Sequence, residues 1–222
     1  MSRREGGRAI FHPRDRLVGL SDGVFAVAIT LLSIDVVAKG TAGGGEDLAA
    51  HLLSEWPAFA AYLFGFLTIL VCWINHQVVY EHVTRMDTGL VWINGLQLAL
   101  VALVPFPTAL LAEHLLDADA GVAFAIYGVT FLLIAFSFWA TARYIGWRGL
   151  ADEHADPGVD RGLTRCYAIS VAWTVLCLAL CAVSVIAAIA GWALMFIVFA
   201  FPLQFAHWMR DRIGAGEVTP GR

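Results

Sequence analysis

Hydrophobic residues along this chain come in long blocks separated by short polar stretches, a pattern that predicts a helical membrane protein. A helix needs roughly 20 apolar residues to cross about 30 Å of hydrocarbon. Six blocks approach or exceed that length: residues 17–38, 57–80, 89–112, 121–143, 163–190 and 192–208. The last two run together, and Gly191 is the expected break, the turn of a tight hairpin. The period-2 alternation of a strand is absent, which argues against a barrel. Residues 40–55, with Gly43-Gly44-Gly45, read as a flexible external loop, and residues 147–162, around Asp156-Pro157-Gly158, as a polar turn. Little is left over, so the expectation is a single six-helix transmembrane module over residues 1–222, an all-α integral membrane protein. Proline removes a backbone donor, so Pro105 and Pro107 should kink the third helix and Pro202 the sixth.

Composition supports this. The 222 residues are 59% hydrophobic and 14% charged, whereas a soluble domain carries about 25% charged residues. Of the 14 Lys and Arg, all but Lys39 fall in the N-terminal tail, the second and fourth connections and the C-terminal tail. Positive residues collect on the cytoplasmic side, so both termini are expected there. The opposite loops are acidic, with Glu46, Asp47, Glu55, Glu113, Asp117 and Asp119. The net charge of −4 therefore says little about partners. The arginines are scattered, so the bilayer and not a nucleic acid is the expected partner. Their excess over lysine points to a GC-rich bacterial source and hence to the cell membrane. The first block contains Asp22 and is too long for a signal-peptide core, so it is read as a retained helix. Cys72, Cys166, Cys177 and Cys181 lack metal-like spacing and read as packing residues. Trp56, Trp92, Trp147, Trp192 and Trp208 lie near block ends and read as an interfacial belt.

Ionisable residues inside a membrane are functional candidates. Asp22 lies about five residues into the first helix, on the order of 8 Å from its cytoplasmic end. The second helix descends to that level with Trp73, Asn75, His76 and Gln77, and the third rises from it with Asn94 and Gln97. Ser21, Asp22, Trp73, His76 and Asn94 can therefore meet near the inner leaflet, as an interhelical lock or as a proton or ion relay. At 100° per residue, Leu20, Gly23, Val27, Leu31 and Ile34 share one smooth face of the first helix, with Thr30 at its margin. Ser21 and Asp22 point well away from that face. Asp35 lies at the outer end, near water. His76 and His82 are six apart, and no Cys or carboxylate completes a metal set. No nucleophile elbow, phosphate loop or paired-carboxylate site is present, so neither an enzyme, a cofactor nor a small-molecule substrate is expected.

Arg16-x-x-x-Leu20-Ser21-Asp22, running into Gly23-Val24-Phe25-Ala26-Val27-Ala28-Ile29-Thr30-Leu31-Leu32, resembles the first-helix signature of the transmembrane protein 175 family. Trp73-Ile74-Asn75-His76, Asn94 and Pro105-Phe106 follow in the family order, so the resemblance covers roughly the first half of the chain. It implies a potassium-permeable channel in which six-helix subunits form a homotetramer and four first helices surround the pore. By position, Val27 matches the family's apolar constriction and Thr30 the threonine ring linked with potassium preference, with Ile34 further out. Arg16, Ser21, Asp22, Trp73, His76 and Asn94 match the network that holds the first helix. Leu20 stands where the family has phenylalanine, and Val27 is smaller than the usual constriction residue. No T-V-G-Y-G segment is present, so carbonyl-lined selectivity is not expected.

The leading expectation is a potassium-over-sodium cation channel, with permeant potassium as its only ion. A proton channel or proton-coupled transporter using Asp22 and His76, and a non-conducting membrane scaffold, are the alternatives.

Overall fold

A computed structural model describes residues 13–42, 47–152 and 157–199. Eight helices account for most of them: α1 (Pro13–Thr41), α2 (Leu48–Ser54), α3 (Trp56–Glu81), α4 (Thr88–Leu103), α5 (Pro105–His114), α6 (Ala120–Arg148), α7 (Pro157–Cys181) and α8 (Val185–Phe199). Five spans among the described residues are long and apolar enough to cross a membrane: α1, α3, α4 with α5, α6 and α7. The fifteen described residues of α8 are shorter, and the expected continuation over 200–208, with Pro202 and Trp208, lies outside the described residues.

Local chemistry explains the departures from expectation. The segment expected to be a loop over 40–55 is partly helical: Asp47 accepts a hydrogen bond from the Ala49 amide at 3.1 Å and starts α2, as an N-cap carboxylate does. Pro105 and Pro107 do interrupt the third span. The Val104 amide turns back to the Val101 carbonyl at 3.1 Å, and α5 restarts at Pro105.

The break between the fifth and sixth blocks falls at 182–184, not at Gly191. Ser184 accepts from the Ala187 amide at 3.3 Å and its carbonyl accepts from Ala188, so this single hydroxyl in an apolar run caps α8. Gly191 instead lies within α8, where the Trp173 indole donates to its carbonyl at 2.9 Å. A methyl group there would come within 3.0 Å of the Cys177 sulfur, so this glycine serves close helix packing. Moving the break moves Trp192 too. It leaves the expected interfacial belt for the middle of a helix and is fully buried against Phe124, Tyr127 and Phe131.

The core lies where α6 packs between α4 and α7, with α3 and α5 completing the layer and α1 resting on α3, α4 and α5. Lipid removes most of the hydrophobic drive between helices, so close packing must hold them. Gly128 lets Leu178 approach α6, and Gly65 lets Thr108 and Leu32 approach α3. Buried hydroxyls satisfy themselves on their own helices: Thr68 on Phe64, Thr108 on Val104, Thr130 on Ile126, Thr141 on Ser137. The four cysteines are free thiols. At one end of the bundle the α3–α4 and α6–α7 connections meet. Val83 pairs with Ala151, and the Thr84 and Arg85 amides share the Leu150 carbonyl.

Candidate functional site

Adjacent residues on a helix point 100° apart, so Ser21 and Asp22 address different neighbours. Ser21 is fully buried and meets α4. The Asn94 amide donates to its hydroxyl at 3.2 Å, and that hydroxyl donates to the Leu17 carbonyl at 2.9 Å. The Asn94 carbonyl oxygen accepts from His76 Nε2 at 2.9 Å. This fixes His76 with a proton on Nε2, since an amide oxygen can only accept. One chain of bonds thus ties α3 to α4 to α1, and it ends on a backbone carbonyl.

Asp22 faces α3. Its Oδ1 accepts from the Trp73 indole at 2.8 Å and from the Gln77 amide at 2.5 Å. Trp73, His76 and Gln77 occupy positions i, i+3 and i+4, one face of α3. Tyr80, one turn on, stacks on the His76 ring at 4.5 Å, and Phe25 meets that ring edge-on at 5.5 Å. Interhelical hydrogen bonds in membranes contribute about 0.6 kcal/mol each on average, so the four that join α1, α3 and α4 act together with this aromatic packing.

Five of the six residues expected to form this network meet in it. Arg16 does not: it is exposed, with no bond to the cluster among the described residues. Gln77 does, and its spacing of four from Trp73 was the available signal. Asn75 turns the other way. Its amide donates to the Phe199 carbonyl at 3.0 Å, and Tyr167 donates to its oxygen at 3.2 Å, joining α3 to α7 and α8. No hydrogen bond links Asp22 to His76 among the described residues.

The other side of α1 is bare. Leu20 is 61% exposed, Val27 56% and Ile34 61%, and Gly23 and Thr30 are exposed beside them. Leu31 is exposed at 42% on the edge. Phe25, Ala28 and Leu32 are buried. The Thr30 hydroxyl donates to the Val27 carbonyl at 2.9 Å, so its proton is committed to the backbone and its lone pairs are presented outward. Asp35 is half-buried and lies 3.7 Å from the Lys39 ammonium.

His114, Asp117 and Asp119 bring ligand-type atoms within 4.8 Å of one another between α5 and α6. Asp117 there already accepts from the His114 ring at 2.8 Å and the Asp119 amide at 2.7 Å, which accounts for the cluster as a turn.

Residues 16–105 match the model of a family described as the endosomal/lysosomal potassium channel TMEM175. That segment holds every donor and acceptor of the α1–α3–α4 network. A potassium channel from Chamaesiphon minutus is 46% identical over 124 residues, which cover 55% of this chain and 61% of that protein. A potassium channel from Streptomyces collinus is 42% identical over 153 residues, 68% of this chain and 71% of that protein. The crystal structure of a lysosomal potassium-selective channel TMEM175 homolog from Chamaesiphon minutus superposes with a TM-score of 0.71 at 33% identity, covering 86% of this chain and 97% of that one. Agreement in sequence over most of one relative and in backbone over nearly all of a solved one leads to a single assignment: the chain belongs to the TMEM175 family.

Proposed function

We propose that this chain is the subunit of a potassium-permeable channel of the cell membrane, assembled as a homotetramer with four copies of α1 around the pore. One observation carries the proposal. Leu20, Val27 and Ile34 recur every seven residues, Gly23, Thr30 and Val37 do the same, and all six are exposed on a helix whose opposite face is buried. A seven-residue repeat on an α-helix makes a seam that wraps left-handedly against like helices. Among the described residues of one subunit nothing covers that seam; several copies of α1 around an axis would.

In this reading Val27 forms the constriction. A ring of apolar side chains closes a narrow pore by excluding water. Thr30, one turn further out, offers hydroxyl oxygens that replace part of an ion's hydration shell and favour potassium, the more easily dehydrated ion. Leu20, Gly23, Leu31 and Ile34 complete the lining. Ser21, Asp22, Trp73, Gln77, His76 and Asn94 hold α1 at the rotation that presents this face, and Arg16 is a charge at the pore entrance rather than a member of the network. α8 is the described part of the proposed sixth span. Arg85, Arg148 and Arg161 lie at the end of the bundle where α1 begins, and the basic bias assigns that end to the cytoplasm.

The proton relay through Asp22 and His76 has less support. The His76 chain ends on the Leu17 carbonyl, and among the described residues Asp22 accepts only from an indole and an amide, groups that do not pass protons on. The direct test is purified protein in potassium-loaded liposomes. Potassium efflux down its gradient, faster than sodium efflux from matched vesicles, is the expected result; vesicles no leakier than empty ones would refute channel activity.

A further inference from the structure

The outward face of α6 carries Val122, Ile126, Val129, Leu133 and Phe136, all exposed and spaced by four and three. α6 lies on the far side of α4 and α5 from α1, so this stripe faces away from the helix proposed to line the pore. The same face then changes character. Ala140, Arg143 and Trp147 continue the spacing and, with Ile93, Trp139 and Tyr144, line a groove between α4 and α6. Arg143 is exposed and has no hydrogen bond or ion pair among the described residues. Its neighbour Arg148 is already engaged, with Nε 3.1 Å from Asp87 and its guanidinium 5.7 Å above the Trp147 ring. The Tyr144 hydroxyl likewise donates to Asp87 at 2.9 Å.

We propose that this groove binds one anionic phospholipid per subunit, its phosphate on Arg143 and an acyl chain along the α6 stripe. The chemistry is complementary at both ends. An apolar stripe suits a chain but does not choose among lipids, whereas a planar guanidinium with free N–H groups pairs with phosphate in a two-pronged geometry. Trp147 is exposed beside the end of α6, the level at which indole rings settle among headgroups. Asp87 does not cancel the site, because Arg148 and Tyr144 already occupy it. The orientation proposed above sets only which leaflet supplies the lipid; the site itself stands on the groove and the unpaired arginine.

The full chain, purified in detergent, is given equimolar phosphatidylglycerol and phosphatidylcholine with identical acyl chains, and retained lipid is counted by native mass spectrometry. Wild type should hold phosphatidylglycerol roughly fivefold in preference, the value of one well-placed basic residue near a lipid surface. Arg143→Gln should bring that preference close to unity, and Arg143→Lys should keep part of it. Arg165→Gln removes an equal charge from α7 and should leave the preference intact. Equal retention of the two lipids by wild type overturns the proposal without any variant. So does an equal loss in Arg143→Gln and Arg165→Gln, which would mean diffuse charge rather than a site. Potassium flux is not the readout, so failure here would leave the channel reading untouched.

Discussion

The two faces of α1 divide the labour within one helix. The inward face is polar at its N-terminal end and tightly packed beyond it, with Ser21 and Asp22 bonded to α3 and α4 and Phe25, Ala28 and Leu32 buried. The outward face is apolar, glycine-bearing and uncovered in the subunit. A charge in the membrane draws the eye to Asp22 as the working residue. The geometry argues for the reverse: the polar residues fix the helix, and the plain face is free to act. The lesson concerns satisfaction. The Ser21 hydroxyl and Asp22 Oδ1 are committed to neighbouring groups, while Thr30, with its lone pairs outward, is the better placed to meet an ion.

The strongest way to break this comparison is to attack the anchor. Asp22→Leu would strand the Trp73 indole N–H and the Gln77 amide, each an orphaned donor costing about 1–3 kcal/mol. The folded subunit should lose thermal stability markedly in detergent, and the oligomer with it. Asp22→Asn keeps an oxygen in place to accept both bonds and should melt close to wild type. If the two variants behave alike, Asp22 acts through its charge and not as an acceptor, and the division between faces fails. A smaller effect is expected for Asn94→Leu, which strands the His76 Nε2–H alone, about 1–3 kcal/mol by the same reckoning. Thermal scans of the two leucine variants should therefore rank Asp22 below Asn94.

Next comes the outward face. Val27 touches little within the subunit, so Val27→Asn should change subunit stability by no more than about 0.5 kcal/mol. In assembled protein it would place a ring of amides where the proposed constriction excludes water, and single-channel recordings should show current several-fold higher. A variant that melts like wild type and conducts like wild type would remove Val27 from the pore.

Sequence legibility followed the strength of the physical signal. The first four spans were readable because long apolar blocks have no alternative in water, and Pro105-Phe106-Pro107 announced the break at Val104. The α7–α8 turn was misplaced because Gly191 is the more familiar helix breaker, yet inside tightly packed helices glycine permits contact instead of ending the helix. Ser184, the one residue in that run able to cap a new helix, was the better signal. Trp192 went astray with it, since a place in the belt was inferred from a helix end that does not exist. α2 was hidden by the glycines before it, although Asp47 announces its cap. In the network, depth alone brought Ser21, Asp22, Trp73, His76 and Asn94 together, but depth does not give azimuth. Asn75 and Gln77 share that depth and point to opposite sides of α3, and only helical spacing relative to Trp73 separates them. Arg16 entered by resemblance, not by any contact that spacing could supply.

The finest test lies on Thr30, where the expected effect is a change of preference rather than of stability or total current. Thr30→Ala deletes the hydroxyl and its bond to the Val27 carbonyl, both on an exposed face, so folding should be unaffected. What changes is the ring of oxygens proposed to stand in for lost hydration water. Without it, potassium keeps a smaller advantage over sodium, and the reversal potential under biionic conditions should move toward zero. Thr30→Ser restores the oxygen without the methyl group and should recover most of the preference. A methyl-driven effect would give the opposite ranking, with serine behaving like alanine, because only the shape of the lining would then matter. The serine variant thus separates coordination by oxygen from narrowing by a methyl ring, two ways in which the same face of α1 could select an ion.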